Sequence, residues 1–240
     1  MSNKKSFKLK PLYLLIAAAV LLVASTVGST QAALTYYSEN YSAEVNVSNI
    51  GVGLLENGSQ VGEELLADML AEGEELVLGK TYSEELSVVN NGSIDSYVRV
   101  IVKKSWQDAD CVKDTKLSPD LIDLNFVTGN GWVIDESAST AERTVLYYTA
   151  VLPVGATTPD FTDALRIDPA IATKIVETVD TDVVGGKEYR TITYEYEYDG
   201  YTFNVEAEVD AVQTHNAEAA IKSAWGISVS VSEDGSLSLQ

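Results

Sequence analysis

The 240-residue chain contains one cysteine and one histidine, and each scarcity removes a class of chemistry. Cys111, in the stretch DADCVKD, has no second cysteine to pair with, so the fold must rest on a hydrophobic core without an intramolecular disulfide. His215 is the one side chain whose ordinary pKa lies near neutrality, whereas a zinc hydrolase of the common kind needs two histidines at helical spacing together with a glutamate. Ser, Cys111 and His215 are far apart in sequence, and no nucleophile elbow accompanies them. Basic residues are also few: 16 Lys and Arg stand against 36 Asp and Glu, a net charge of −20. Such a surface repels nucleic acid and anionic lipid, because both bind through neutralisation of phosphates. It favours solubility, cations and basic partners.

The basic residues that exist are concentrated at the front. Lys4, Lys5, Lys8 and Lys10 precede an uncharged apolar run, residues 12–27, and small residues follow up to Ala32 and Ala33. Basic, apolar, then cleavable is the order of a secretory signal. The run is shorter than the roughly 20 residues of a spanning helix and lacks a basic stop-transfer flank. The expected organisation is a signal peptide, 1–32, cut between Ala32 and Ala33, and a single secreted domain, 33–240, that meets the membrane only through the signal peptide before cleavage. Cleavage removes four lysines and no acid, leaving 12 basic against 36 acidic residues, or −24. A domain of this length buries about 70% of its unfolded surface. The carboxyl end shows no sorting motif, hydrophobic tail or lipid-accepting cysteine, and unbridged export fits a Gram-positive bacterium. The NVS and NGS triplets at Asn46, Asn57 and Asn91 then read as turns.

Alternation dominates the secreted part. Residues 41–50 alternate with Val45 and Val47 on one side, residues 81–89 and 96–104 read as two strands about the Asn90-Asn91-Gly92-Ser93 turn, and the near-continuous apolar run of the second predicts burial on both faces. Residues 108–119 read as an exposed polar loop, and further strands are expected around 121–127, 132–134 and 142–154. The sequence EYRTITYEYEYDGYTFNVEAEVDAVQ predicts a hairpin turning at Asp199-Gly200, with Ile192, Tyr194, Tyr196 and Tyr198 on one side of its first strand. Gly185-Gly186 lacks the surroundings of a phosphate loop and reads as another hairpin turn. Two helices are expected. One is VGEELLADMLAEGEEL, with Val61, Leu65, Leu66, Met69 and Leu70 on one face; the other is HNAEAAIKSAWG, with Asn216 as N-cap, Gly226 beyond its end and Ala217, Ala220, Ile221, Ala224 and Trp225 as its apolar stripe. The fold class is mainly β, an antiparallel jelly-roll-like sandwich with two short helices. No cofactor is expected. The acidic pairs Asp108/Asp110, Asp180/Asp182 and Glu233/Asp234 offer oxygen ligands to calcium, without EF-hand spacing.

Three segments carry a family resemblance. GSTQAALTYYSEN resembles the signal-to-mature junction of proteins cut by the SipW-type signal peptidase, the TasA/camelysin family; LGKTYSEELSVVNNGSIDSYVRVIV resembles that family's first hairpin; FNVEAEVDAVQTHNAEAAIKSAWG is similar to its carboxyl-terminal strand and helix. The resemblance implies a jelly-roll domain exported with the SipW-type peptidase as partner and assembling as a homo-oligomer or fibre of the biofilm matrix. In such fibres the freed front segment of one subunit adds as a strand to the next. Here the donor strand would be residues 33–51, with Tyr36, Tyr37, Tyr41, Val45 and Val47 as subunit contacts, and the alternative is an ordinary first strand folding back on its own sheet. Camelysins carry a metalloprotease label, which makes a secreted protease the second reading, although no HExxH-like site is present. A ligand-binding sandwich using the tyrosine-rich hairpin is the third.

Overall fold

Strand-forming residues in alternation set the architecture. The computed structural model describes residues 36–41 as backbone and residues 51–62, 65–67, 69–70, 74–184 and 187–240. In chain order the strands are β1 (Tyr36–Tyr41), β2 (Gly53–Glu56), β3 (Ser59–Gln60), β4 (Thr81–Val89), β5 (Ser96–Gln107), β6 (Lys113–Asp114), β7 (Ile122–Phe126) and β8 (Trp132–Ile134). They continue with β9 (Arg143–Leu152), β10 (Thr162–Ile167), β11 (Ile175–Val184), β12 (Lys187–Tyr196), β13 (Thr202–Gln213), β14 (Val229–Val231) and β15 (Leu237–Leu239). One α-helix, α1 (Ala217–Trp225), follows β13. All strand pairs are antiparallel. Among the described residues no helix is long and apolar enough to cross a membrane.

The larger sheet has the order β1-β13-β5-β9-β8, with β6 added to β5; the second runs β3-β2-β4-β10-β7. Both feed one core. Leu54, Leu86, Val88, Leu124 and Leu165 come from the second sheet and Val98, Val100, Val102, Leu146 and Val209 from the larger one, closed by Trp106, Trp132 and Phe161. The period of two then populates a second core from the other face of the larger sheet: Tyr97, Ile101, Val145, Tyr147 and Val212 meet Ala217, Ala220, Ile221 and Trp225 of α1. Burying a side chain such as Ile221, which is fully covered, contributes about 1.5–3 kcal/mol. β5 and β9 are therefore strands with two apolar faces, as the unbroken run in β5 predicts.

Three expectations are corrected. Only one α-helix forms among the described residues: the leucine-rich stretch after β3 is irregular, with Leu66 at φ +66°, and its amphipathic spacing serves to lay Leu65, Leu66, Met69 and Leu76 on the first core. β4 and β5 do not form a hairpin, since each belongs to a different sheet. The turn between them is an arch held by buried Asn90, whose Nδ2 donates to the carbonyls of Ile94 and Leu152, both at 2.9 Å, while its Oδ1 accepts from Gly92 N at 3.0 Å. Gly92 is required there because a Cβ would lie 2.5 Å from the Gly51 Cα. The Asp199-Gly200 turn does not join a hairpin either. β12 pairs with β11 as a separate two-stranded sheet, and β13 enters the larger sheet between β1 and β5. The Gly185-Gly186 turn lies outside the described residues, and the flanking strands pair Val184 with Lys187.

α1 spans the expected stretch, but its cap differs. Asn216 sits in the left-handed region, φ 53°, with no side-chain cap bond, whereas Gly226, φ 77°, terminates the helix as expected. Asn57 and Gly58, both at positive φ, make the tight β2–β3 turn.

Candidate functional site

The edge at β1 is the feature that a strand-adding subunit would use. β1 lies at the margin of the larger sheet and pairs with β13 over six residues, from Tyr36 opposite Val212 to Tyr41 opposite Ala207. On its other side β13 pairs with β5 over twelve residues. Val205, Ala207, Val209 and Ala211 enter the first core from β13 and Val212 enters the second, so β1 completes the ladder of a strand covered on both faces. Leaving those backbone groups without partners would cost free energy, since a buried donor or acceptor must be paired. Tyr36, Tyr37 and Tyr41 stand in β1; Val45, Val47, the signal segment and its cut between Ala32 and Ala33 lie outside the described residues.

Asp210 on β13 anchors the same strand to β5. Its carboxylate accepts from Arg99 Nε at 2.8 Å and from a second guanidinium nitrogen, and the guanidinium carbon stands 5.4 Å from the Trp225 ring centre. The pair is enclosed by α1, with Asp210 fully covered.

The residues singled out for chemistry are dispersed. His215 and Cys111 are both exposed, and Cys111 occupies a turn at φ 59°. Asp108 Oδ1 accepts from the backbone N–H of Asp110 and Val112, at 3.0 and 2.9 Å, and Asp234 Oδ1 accepts from Ser236 N at 3.0 Å, so these acids cap turns. The Ser236 N–H lowers the Asp234 pKa. Asp180 and Asp182 stand on exposed β11. Among the described residues no three His, Cys, Asp or Glu side chains are grouped to hold a metal ion. An open concavity of about 430 Å³ on the outer face of the second sheet is lined by Thr81, Asp123, Asn125, Asp163, Ala164 and Arg166. Its polar groups satisfy one another: Arg166 Nη2 donates to Asp123 at 2.8 Å and Asn125 Nδ2 to Asp163 at 2.6 Å. The predicted tyrosine face is displaced from the core. Ile192, Tyr194 and Tyr196 are all exposed on β12.

One titratable group departs strongly from its surroundings and was missed in the sequence. Glu84 is fully buried on β4 between Tyr82 and Leu86, and neither carboxyl oxygen meets a donor within hydrogen-bond reach. Burial, then the neighbouring Glu56 carboxylate, push its pKa up to about 8, against a smaller opposing effect of Asn57. Glu56 itself accepts from Leu66 N at 2.7 Å. Two ionised carboxylates cannot share this space, whereas one proton lets Glu84 act as donor towards Glu56. The signal was present in TYSEELSV, where Glu84 shares the parity of Tyr82, Leu86 and Val88 and so falls on the apolar face.

Compared with known proteins, the chain matches no family model, no curated protein and no solved structure.

Proposed function

We propose that the chain is a secreted structural subunit of an extracellular matrix that assembles head to tail by lending β1 to the β13 edge of a neighbouring copy. In the same reading the two main sheets close as a jelly-roll-like sandwich, and a SipW-type peptidase frees the donor segment, residues 33–51, during export from a Gram-positive cell. The observation that carries the reading is the place of β1: it is a marginal strand, it precedes every other described element, and its pairing with β13 is a backbone ladder. A neighbour's identical strand can reproduce all six register pairs, so exchange costs no native contact in principle. The resemblance to the TasA/camelysin junction supports the same reading.

Electron microscopy of protein beginning at residue 33, beside protein beginning at Ile50, tests it. Fibres are expected from the first and not from the second, and a labelled peptide of residues 33–51 should bind the second. Monodisperse monomers in both, across salt and pH, together with no peptide binding, would overturn the reading.

A further inference from the structure

The β11–β12 hairpin is a structure of its own. Its ten-residue strands pair with each other and with no other strand, and every strand residue with a described side chain is exposed. An isolated two-stranded ribbon with open edges is marginal in water, and natural proteins usually blunt or cover such edges. The register assigns its faces. Ile175/Tyr196, Glu177/Tyr194, Val179/Ile192, Thr181/Arg190 and Val183/Glu188 share one face; Val176/Glu195, Thr178/Thr193, Asp180/Thr191 and Asp182/Tyr189 share the other. The second is polar and suits solvent. The first carries six apolar or aromatic side chains at 39–71% exposure.

We propose that this face pairs with the same face of a second copy about a twofold axis that crosses the Val179–Ile192 row. This lateral contact rests on the reading of the chain as an assembling subunit and is separate from exchange of β1. Reversing the five rows about that axis sets Ile175 over Val183, Val179 over Val179 and Ile192 over Ile192. It also sets Arg190 over Tyr194, a cation against an aromatic face, and Glu177 over Thr181, so no like charges meet. That self-complementarity is what an isologous contact requires. The area agrees. With the observed exposures the six side chains present on the order of 600 Å² per copy, and two copies approach roughly 1,200 Å², the lower bound of specific interfaces. A chain at −20 would otherwise repel its copies, which makes a charge-matched apolar face the favourable route to contact.

Because the axis passes through Ile192, a charge placed there confronts itself. Residues 36–240 form one compact unit and the hairpin gives no buried side chain to either core, so variants in it should keep their unfolding midpoint. Sedimentation velocity on the chain from residue 33 should show a dimer at about 100 µM, the weak association expected of so small an interface. Ile192→Lys and Ile192→Glu should each be monomeric, and their equimolar mixture should recover the dimer. The version beginning at Ile50 should retain this dimer, whereas an association that vanishes there and survives Ile192→Lys belongs to strand exchange and overturns the hairpin contact. A wild type that stays monomeric, or that binds zwitterionic phosphatidylcholine vesicles without dimerising, overturns it too.

Discussion

Replacing Glu84 with Gln should stabilise the protein, and by an amount that depends on pH. A carboxyl whose folded pKa, about 8, lies above its ordinary 4.5 binds its proton more tightly in the folded state. Its contribution is therefore most favourable below pH 4.5, declines as pH rises, and levels off above pH 8. The slope is about 1.4 kcal/mol per pH unit, so the cost of ionisable Glu84 is about 3 kcal/mol at pH 7 and about 5 kcal/mol at pH 9. Gln has nearly the same shape, carries no charge, and keeps an N–H donor for Glu56. The variant should equal the wild type near pH 4.5 and exceed it by those amounts at pH 7 and 9. Urea unfolding followed by fluorescence of the buried Trp106, Trp132 and Trp225 measures the difference directly. Other titrations cancel between the two proteins. Glu56→Gln should move the onset of the wild-type decline to lower pH without restoring ordinary behaviour, because burial is the larger cause and remains. A wild-type-to-Gln difference that is the same at pH 4.5 and pH 9 would refute the reasoning.

Two further substitutions test how the sheets are held. Asn90→Ala removes three side-chain hydrogen bonds and strands the buried Leu152 carbonyl, so urea unfolding should show a loss of about 2–4 kcal/mol. Arg99→Met leaves Asp210 enclosed without its guanidinium partner and should cost about 3–5 kcal/mol, whereas Arg99→Met with Asp210→Leu should recover most of that loss in the same assay.

These tests follow the division between what local pattern can specify and what it cannot. The two-sided burial of β5 was legible because Tyr97 to Val102 leave no polar face for solvent except Arg99, which meets Asp210 directly opposite in register. The extent of α1 was legible because the apolar stripe and Gly226 agree. The absent helix after β3 shows the limit: leucines at helical spacing satisfy an amphipathic pattern, yet Leu66 gives its N–H to the Glu56 carboxylate and takes a left-handed φ while covering the core edge above Glu56 and Glu84. A tertiary acceptor outweighed a weak local preference. At the assembly edge, sequence alternation suggested a strand from residue 41 onward, whereas the strand described is Tyr36–Tyr41; which strand it meets depends on β13, about 170 residues away along the chain.

The two glycine turns around β12 explain why the hairpin was misassigned, and why an apolar face is left over. Gly185-Gly186 and Asp199-Gly200 are equally good reversal signals, so local chemistry cannot choose the partner of residues 187–196. Burial chooses it. β13 carries Ala207, Val209 and Ala211 to one core and Val212 to the other, which demands a place between two strands, whereas β12 alternates Ile and Tyr with Thr, Glu and Arg and cannot occupy a doubly covered position. The segment at residues 197–200 is then an anchor. Tyr198 is buried edge-on against Trp106 with ring centres 5.0 Å apart, and its hydroxyl accepts from Ser118 N at 3.0 Å, while Tyr196, two residues earlier, is 61% exposed. Everything between β10 and that anchor is an excursion from a core already filled by β13. Its exposed Ile, Val and Tyr cannot stabilise the folded chain, and the one term they can supply is apolar surface removed from water when another molecule covers them.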